Sequence, residues 1–291
     1  MNRTLDSTTG EWIKDAIAAF ISESPDNRLS PDHTEPVFDA PLVGFSSGAD
    51  PLYAEYVRHI GGFYLTPPEI FQRGCPGADS TQAYELVVIS WILPSTDATR
   101  NEQAAGAKRP SERWCRTRHF GEKCNDALRR HVVSRLDEAG FPAVAPMLTD
   151  FWSRSDHGPY APCSNWSERH AAYAAGLGTF GLCDGLITPV GKAMRTGSVI
   201  AKLAVEPTQR PYADHHAYCL HFSHGTCGKC IDRCPVQAPS REGHDKWRCM
   251  KYTHGMKAYM GRKYGFETSA CGLCQVEVPC MDHIPHPEEG V

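Results

Sequence analysis

The sequence predicts an α/β (α+β) fold followed by a small C-terminal module rich in cysteine. Segments with helical and with strand periodicity alternate up to residue 207, which is typical of helices layered on a sheet. Eight of the thirteen cysteines then lie between positions 219 and 280. The composition shifts to Cys, His and Gly near residues 207–216, where we place a domain boundary. We expect an N-terminal helix and wrapping segment at 1–50, a large domain at 51–210 and the module at 211–291.

Apolar spacing predicts several helices in the first two parts. The strongest is residues 121–140, which has one apolar face and a glycine stop, and we expect Arg129 and Arg130 to point outward from it. The other predicted helices cover residues 10–22, Pro51–Ile60, and a segment that Ser164 or Asn165 could cap and that ends at Ala175. Residues 23–50 are rich in Pro, Ser, Asp and Gly, so we expect them to wrap the surface without regular structure.

Runs of β-branched and apolar residues predict the strands. Residues 84–94 form a continuous apolar run that ends at Pro94, as expected of a buried central strand. Residues 141–148 are expected to be extended, and two more strands are predicted at 186–189 and 198–205. Alternation of these strands with the helices indicates a layered core.

Composition and charge limit the classes of function. Hydrophobic residues make up 41% of the chain and charged residues 22%, as in ordinary globular proteins. The net charge of −4 gives no electrostatic basis for binding nucleic acid or an anionic membrane surface. No apolar run approaches the roughly 20 residues that span a bilayer, and residues 1–6 are polar rather than a signal core. We therefore expect a cytoplasmic protein without a membrane or nucleic-acid partner.

The cysteine-rich module contains two groups of closely spaced cysteines. In an unexported chain such groups indicate metal ligands before disulfides. The first group is Cys227-Gly-Lys-Cys230-Ile-Asp-Arg-Cys234-Pro, which matches the last three cysteines and the proline of the bacterial ferredoxin pattern C-x2-C-x2-C-x3-C-P. The second group is Cys271-Gly-Leu-Cys274-Gln-Val-Glu-Val-Pro-Cys280. The module is therefore predicted to be ferredoxin-like and to bind two 4Fe–4S clusters.

The ferredoxin pattern divides the eight cysteines crosswise, because its last cysteine binds the other cluster. The first cysteine set, for cluster 1, is then Cys219, Cys227, Cys230 and Cys280. The second cysteine set, for cluster 2, is Cys234, Cys249, Cys271 and Cys274.

Two alternatives to this assignment remain open. His224 occupies the slot of the missing first cysteine, and imidazole replaces thiolate in some clusters, although thiolates such as Cys219 are the usual ligands. Pairs of C-x2-C spacing also bind zinc, so two four-cysteine zinc sites are the second alternative. The five cysteines outside the module (Cys75, Cys115, Cys124, Cys163 and Cys183) are expected to be buried small apolar residues or incidental thiols.

A motif before the module resembles one protein family. Glu168-Arg169 is followed by Gly176-Leu-Gly178-Thr-Phe-Gly181, then by Gly197-Ser198, and then by the cysteine groups. This order, over residues 80–285, resembles the cobalamin-dependent iron–sulfur reductases, and the epoxyqueuosine reductases more than the reductive dehalogenases. The lysine that follows the third glycine in that family is Leu182 here.

The resemblance implies a nitroreductase-like large domain that holds a base-off corrinoid (cobalamin) next to one cluster. The implied cobalamin-binding residues are Arg169, Gly176, Gly178, Gly181, Gly197 and Ser198. Bare glycine backbone could approach a planar macrocycle closely, although glycines also end helices and form tight turns. Flavin is the alternative occupant of such a domain.

Asp156 is the candidate proton donor that the resemblance implies. Asp156-His157-Gly-Pro matches the Asp-x-Gly-Pro of the epoxyqueuosine reductases, but about six more residues separate it from Glu168 than in the family. In an apolar pocket above the corrin, a carboxyl group would have a raised pKa, as acid catalysis requires. The alternatives are a solvated turn aspartate and a role for His157 instead.

These expectations together describe a reductase. A low-potential donor of ferredoxin or flavodoxin type would pass electrons through both clusters to the corrinoid, which would remove an oxygen or halogen substituent from a small molecule. A non-catalytic electron-transfer or corrinoid-reactivating protein is the alternative from a different functional class.

Overall fold

The computed structural model describes residues 7–78 and 80–290. Four antiparallel strands form the main sheet in the order β1-β2-β8-β3, which are Leu42–Ser47, Leu86–Pro94, Met194–Lys202 and Ala143–Val144. Three two-stranded pairs lie outside it: β4 (Arg154–Ser155) with β5 (Cys163–Ser164), β6 (Thr179–Phe180) with β7 (Leu186–Ile187), and β9 (Pro239–Ser240) with β10 (Gly243–His244).

Helices lie on both faces of the main sheet, and further helices lie in the C-terminal part. Those before residue 210 are α1 (Ser7–Glu23), α2 (Pro51–Ile60), α3 (Pro67–Gly74), α4 (Asp97–Ala104), α5 (Glu112–Glu138) and α6 (Glu168–Ala174). The later ones are α7 (Leu220–His224), α8 (Lys229–Asp232), α9 (Lys246–Gly255) and α10 (Lys257–Tyr264). Within the described residues, no helix is both long and apolar enough for a bilayer.

Strand β2 separates two apolar cores. All nine of its residues are buried, and alternate side chains point to opposite faces. Val88 and Ile92 belong to the core formed with α2, α3 and α6. Ile89 and Trp91 belong to the core formed with α1 and α5. The sheet is therefore the middle layer of three, which fixes α5 and α6 on opposite sides of it.

The prediction of a mixed helical and sheet fold is confirmed, and the sheet is antiparallel, so α+β describes it. The helix at Pro51–Ile60 and the central strand at β2 are confirmed. Two expectations were wrong. Residues 23–50 contain β1, and Arg129 on α5 is buried rather than outward-facing because three acidic side chains surround its guanidinium.

The C-terminal segment is joined to the sheet layer through the turn between β7 and β8. Lys192 N donates a hydrogen bond to Cys280 O (3.0 Å), and Ala193 N donates to Met281 O (3.2 Å). At Gly191 the backbone φ is +73°, and a Cβ there would lie 2.2 Å from Met281 O, so only glycine allows this approach. The division into a large domain at 51–210 and a module at 211–291 stays a prediction.

Candidate functional site

A cavity of about 1790 Å³ lies between α5, α6, the segment 152–164 and α9. Its wall includes every member of the second cysteine set, Cys234, Cys249, Cys271 and Cys274. Cys249 lies on α9, while Cys271 and Cys274 come from the segment around a short 3-10 helix at Leu273–Gln275. Burial raises the pKa of Cys271 to about 12, so its thiolate needs a cationic partner. A metal cluster supplies one.

The first cysteine set surrounds a second, small cavity. Cys219, Cys227, Cys230 and Cys280 all line it, and Gly181 lies in the same wall. Three of these thiols are buried, and burial raises the pKa of Cys280. The eight module cysteines thus line two different cavities, four in each, and their assignment to two clusters stays a prediction.

The structure separates the two alternatives for the fourth ligand of cluster 1. Cys219 is buried at the start of α7 and lines the small cavity. His224 is exposed at the end of the same helix, where its Nδ1 lies 2.8 Å from Ser223 Oγ. His224 lines neither the large nor the small cavity. Geometry therefore favours Cys219.

The described residues contain no group of three or more His, Cys, Asp or Glu side chains that could hold a single metal ion. The module cysteines instead line cavities in fours. Thiolate donors in sets of four suit iron–sulfur clusters, so the residues present fit two such groups.

Two residues between the cysteine sets were missed by the sequence analysis. Cys183 is buried and belongs to the same packed cluster as Cys230 of the first set and Cys274 of the second set. Lys192 is 3% exposed and lines both cavities, and its Nζ lies 3.6 Å from Cys183 Sγ. Cys183 belongs to no spacing motif, and Lys192 is a single lysine in a loop, so neither carries a sequence signal.

An ion-pair network forms the wall of the large cavity opposite the cysteines. Arg129 donates from Nε and Nη2 to the two carboxylate oxygens of Glu168, at 3.0 and 2.6 Å. Glu168 also accepts the backbone N–H of Ser198, which lies on β8. Arg118 and Arg195 line the cavity beside this network. Burial lowers the pKa of Arg195 to about 10, and Arg118 adds repulsion.

The predicted cobalamin-binding glycines do not approach the large cavity. A Cβ at Gly178 would lie 2.2 Å from Ile187 O, and one at Gly197 would lie 2.2 Å from the Trp91 ring. Gly176 packs near Gln209 O in the left-handed region (φ +78°), and Gly181 lines the small cavity with the first cysteine set. Protein atoms occupy the space beside Gly176, Gly178 and Gly197, so the role of these three glycines is close packing.

The other two predicted cobalamin-binding residues, Ser198 and Arg169, lie in different places. Ser198 is fully buried, and its hydroxyl accepts a hydrogen bond from Trp166 Nε1 (3.0 Å), so it orders the core rather than the cavity wall. Arg169 does line the large cavity, where its Nη1 donates to Asp184 O.

The candidate proton donors lie on an exposed loop. Asp156 and His157 follow β4 and line the mouth of the large cavity, where both are exposed. The expected burial of Asp156 in an apolar pocket is therefore not found, because the loop from β4 to β5 extends into solvent. Tyr160 and Tyr173 also line this cavity, whereas Tyr53 and Tyr64 are buried core residues.

The large cavity suits a bulky polar ligand. Its volume exceeds the 300–1,000 Å³ that is typical of pockets for drug-sized ligands. Thr117 lies in its wall with a buried hydroxyl that lacks a hydrogen-bond partner among the described residues. Arg118, Arg169 and Arg195 offer donors to amides or a phosphate. The residues present therefore fit a corrinoid, while the packed glycines contribute nothing to it.

Comparisons with family models and with curated proteins find no match. Among solved structures, an epoxyqueuosine reductase from Bacillus subtilis matches at 17% identity and a TM-score of 0.46, over 97% of this chain and 70% of that chain. A catabolic reductive dehalogenase in complex with 3-bromo-4-hydroxybenzoic acid matches at 16% identity and a TM-score of 0.49, over 98% of this chain and 38% of that chain.

A further epoxyqueuosine reductase structure, with a tRNA stem loop, matches at 17% identity and a TM-score of 0.46, over 97% of this chain and 68% of that chain. These are the two kinds of protein that the sequence motifs resemble.

Proposed function

We propose that this chain is a cobalamin-dependent iron–sulfur reductase. The observation that carries the proposal is that the second cysteine set lies in the wall of the 1790 Å³ cavity, while the first set lies around the small cavity. Residues 51–210 would form the nitroreductase-like, cobalamin-binding domain, and residues 211–291 the double-cluster module.

The arrangement suits one-electron delivery along a fixed route. Cluster 1, held by Cys219, Cys227, Cys230 and Cys280, would receive electrons from a low-potential ferredoxin or flavodoxin. Cluster 2, held by Cys234, Cys249, Cys271 and Cys274, lies at the cavity wall and would release them there. A corrinoid supplies cobalt that cycles through low-valent states and can break a carbon–halogen or carbon–oxygen bond.

The chain's own residues would bind and orient the ligands of the cavity. Arg118 and Arg195, held in place by the Glu122 and Arg129 network, offer guanidinium donors to amides and a phosphate. Asp156 or His157 at the cavity mouth would hold the proton that replaces the substituent. Two electrons and one proton then convert the substituted carbon to C–H, and the halide or hydroxide leaves.

Metal analysis tests the cluster part of the proposal. Protein purified without oxygen should contain about eight iron and about eight acid-labile sulfide per chain, as two 4Fe–4S clusters require. Stoichiometric zinc with little iron after anaerobic reconstitution would contradict it.

Spectroscopy tests the corrinoid part separately. Protein loaded with cobalamin should retain it through gel filtration, and electron paramagnetic resonance of cobalt(II) should lack the nitrogen splitting of base-on cobalamin. If both clusters are intact and no cobalamin is retained, the electron-transfer function replaces the reductase.

A further inference from the structure

Lys192 is a buried cation between the two cysteine sets. Its backbone is fixed by hydrogen bonds from its N–H to Cys280 O and Met281 O (3.0 and 3.2 Å). Its side chain is directed into the protein, is 3% exposed, and lines both the large and the small cavity. No other lysine of the described residues lines both.

The partners of Lys192 are sulfur atoms rather than carboxylates. Its Nζ lies 3.6 Å from Cys183 Sγ, and no ion pair with Asp or Glu forms among the described residues. A buried ammonium without a carboxylate is costly, so its place here points to a negative charge that it balances.

Electrostatics gives this position a functional consequence. A 4Fe–4S cluster with four thiolates is anionic, and its reduction adds one more negative charge. A nearby cation stabilises the reduced form more than the oxidised form, and the effect is large where little water screens it.

We propose that Lys192 is an internal counter-ion shared by clusters 1 and 2, which raises the reduction potentials of both. The proposal rests on the two-cluster part of the proposed function. Cys183 is its positioning partner: its Sγ lies 3.6 Å from the Lys192 Nζ, and it belongs to the same packed cluster as Cys230 of the first set and Cys274 of the second set.

The test compares reduction potentials of anaerobically purified wild-type protein with those of Lys192→Met, which keeps the length of the side chain and removes the charge. At a fixed potential, the reduced-to-oxidised ratio of each cluster should fall at least tenfold in the variant, or about 59 mV for one electron. Absorbance and electron paramagnetic resonance during a redox titration measure this ratio without any substrate.

Two control variants make the outcome specific. Lys192→Arg keeps the charge and should keep potentials near those of the wild type. Lys229→Met removes an exposed charge next to Cys230 and should change the potentials little, because solvent screens it. If Lys192→Met assembles no clusters but Lys192→Arg does, the charge is still required. If both Lys192→Met and Lys192→Arg lose the clusters, the shape of the lysine side chain is required rather than its charge, and the counter-ion proposal is overturned.

Iron content separates this proposal from the proposed function. Equal iron and unchanged potentials in Lys192→Met would overturn the counter-ion and leave the two clusters standing. Wild-type protein without iron would overturn both.

Discussion

The Arg129 guanidinium is almost completely enclosed, with 1% of its side chain exposed. It joins α5 to α6 through both oxygens of Glu168, and α6 to β8 through the Ser198 N–H that the same carboxylate accepts. Asp126 and Glu122 occupy the remaining side of the guanidinium. One buried charge thus holds three elements in register at the cavity wall.

Removing the carboxylate should therefore destabilise the fold strongly. We expect Glu168→Ala to lower the free energy of unfolding by about 3–5 kcal/mol, since it leaves a buried guanidinium without its main partner. Glu138→Ala on the same α5 removes the exposed partner of Arg135 and should cost at most about 1 kcal/mol. Denaturant titrations of both variants measure the difference, and similar costs would contradict the account.

His170 on α6 makes stability depend on pH. Burial lowers its pKa to about 3, and Arg169 and Lys246 add repulsion, so the ring is neutral in the folded protein. The unfolded chain binds a proton near pH 6.5 and the folded chain does not. The contribution is therefore fully present above about pH 6.5 and is lost as the pH falls towards 3.

Replacement of His170 should make the free energy of unfolding depend less steeply on pH. Between pH 7.5 and 5.5 the free energy of unfolding of the wild type should fall more steeply than that of His170→Asn, by on the order of 1 kcal/mol. Asn keeps a polar group near Ser167 Oγ, which lies 2.7 Å from the His170 Nδ1. Parallel slopes in the two proteins would show that His170 binds protons equally in both states.

At the level of elements, a turn glycine between two ligands positions the second cysteine set. Gly272 lies between Cys271 and Cys274 with φ +67°, and a Cβ there would lie 2.1 Å from the Trp114 ring on α5. The turn therefore fits closely onto α5. Gly265, at the end of α10, has a similar φ of +80° with no atom within 4 Å of its Cβ position.

These two glycines form a matched pair for mutation. Both Gly→Ala changes carry the left-handed strain of about 1–2 kcal/mol. We expect only Gly272→Ala to lose cluster 2 as well, because the clash moves the turn that supplies two of its ligands. Iron analysis measures the loss, and full iron content in Gly272→Ala would contradict the expected displacement.

At the scale of the whole molecule, the two cysteine sets define a direction. The second set lines the large cavity and the first set lines a separate one, so in the proposed reductase electrons from outside would reach the large cavity last. The ligand variants Cys219→Ser and His224→Ala test the first set, since only Cys219 lines its cavity.

Cys219→Ser should degrade cluster 1 and leave cluster 2, whereas His224→Ala should keep both near full iron content. In Cys219→Ser, dithionite should still reduce cluster 2 while a flavodoxin donor does so at least tenfold more slowly. Iron assays and stopped-flow absorbance measure these effects. Loss of iron from the histidine variant alone would reverse the ligand assignment.

The ferredoxin-like pattern made it predictable from sequence which cysteines line a cavity together, because in that pattern the last cysteine of a run, here Cys234, joins the other group. The buried run of β2 was also predictable, since a nine-residue run in which only Ser90 is polar suits the middle of a core. Strand β1 was not, because its sequence Leu-Val-Gly-Phe-Ser-Ser shows neither alternation nor a long apolar run.

The glycines misled the prediction for a physical reason. The absence of a Cβ allows a macrocycle or a neighbouring protein segment to approach the glycine backbone equally closely. Only the fold shows that Ile187 and Trp91 occupy the space beside Gly178 and Gly197. Lys192 and Cys183 precede Cys219, the first cysteine of the two sets, by 27 and 36 residues, so no local pattern could place them there.

The hydrogen bonds between residues 192–193 and residues 280–281 have a consequence for biosynthesis. The sheet layer leaves the ribosome before residues 271–280 exist, yet each cysteine set requires a thiol from that stretch. In the proposed two-cluster protein, neither cluster could therefore be completed before the stretch 271–280 has been translated. A message truncated before residue 271 would then yield a polypeptide in which neither set has all four of its proposed ligands, because Cys271, Cys274 and Cys280 would be missing.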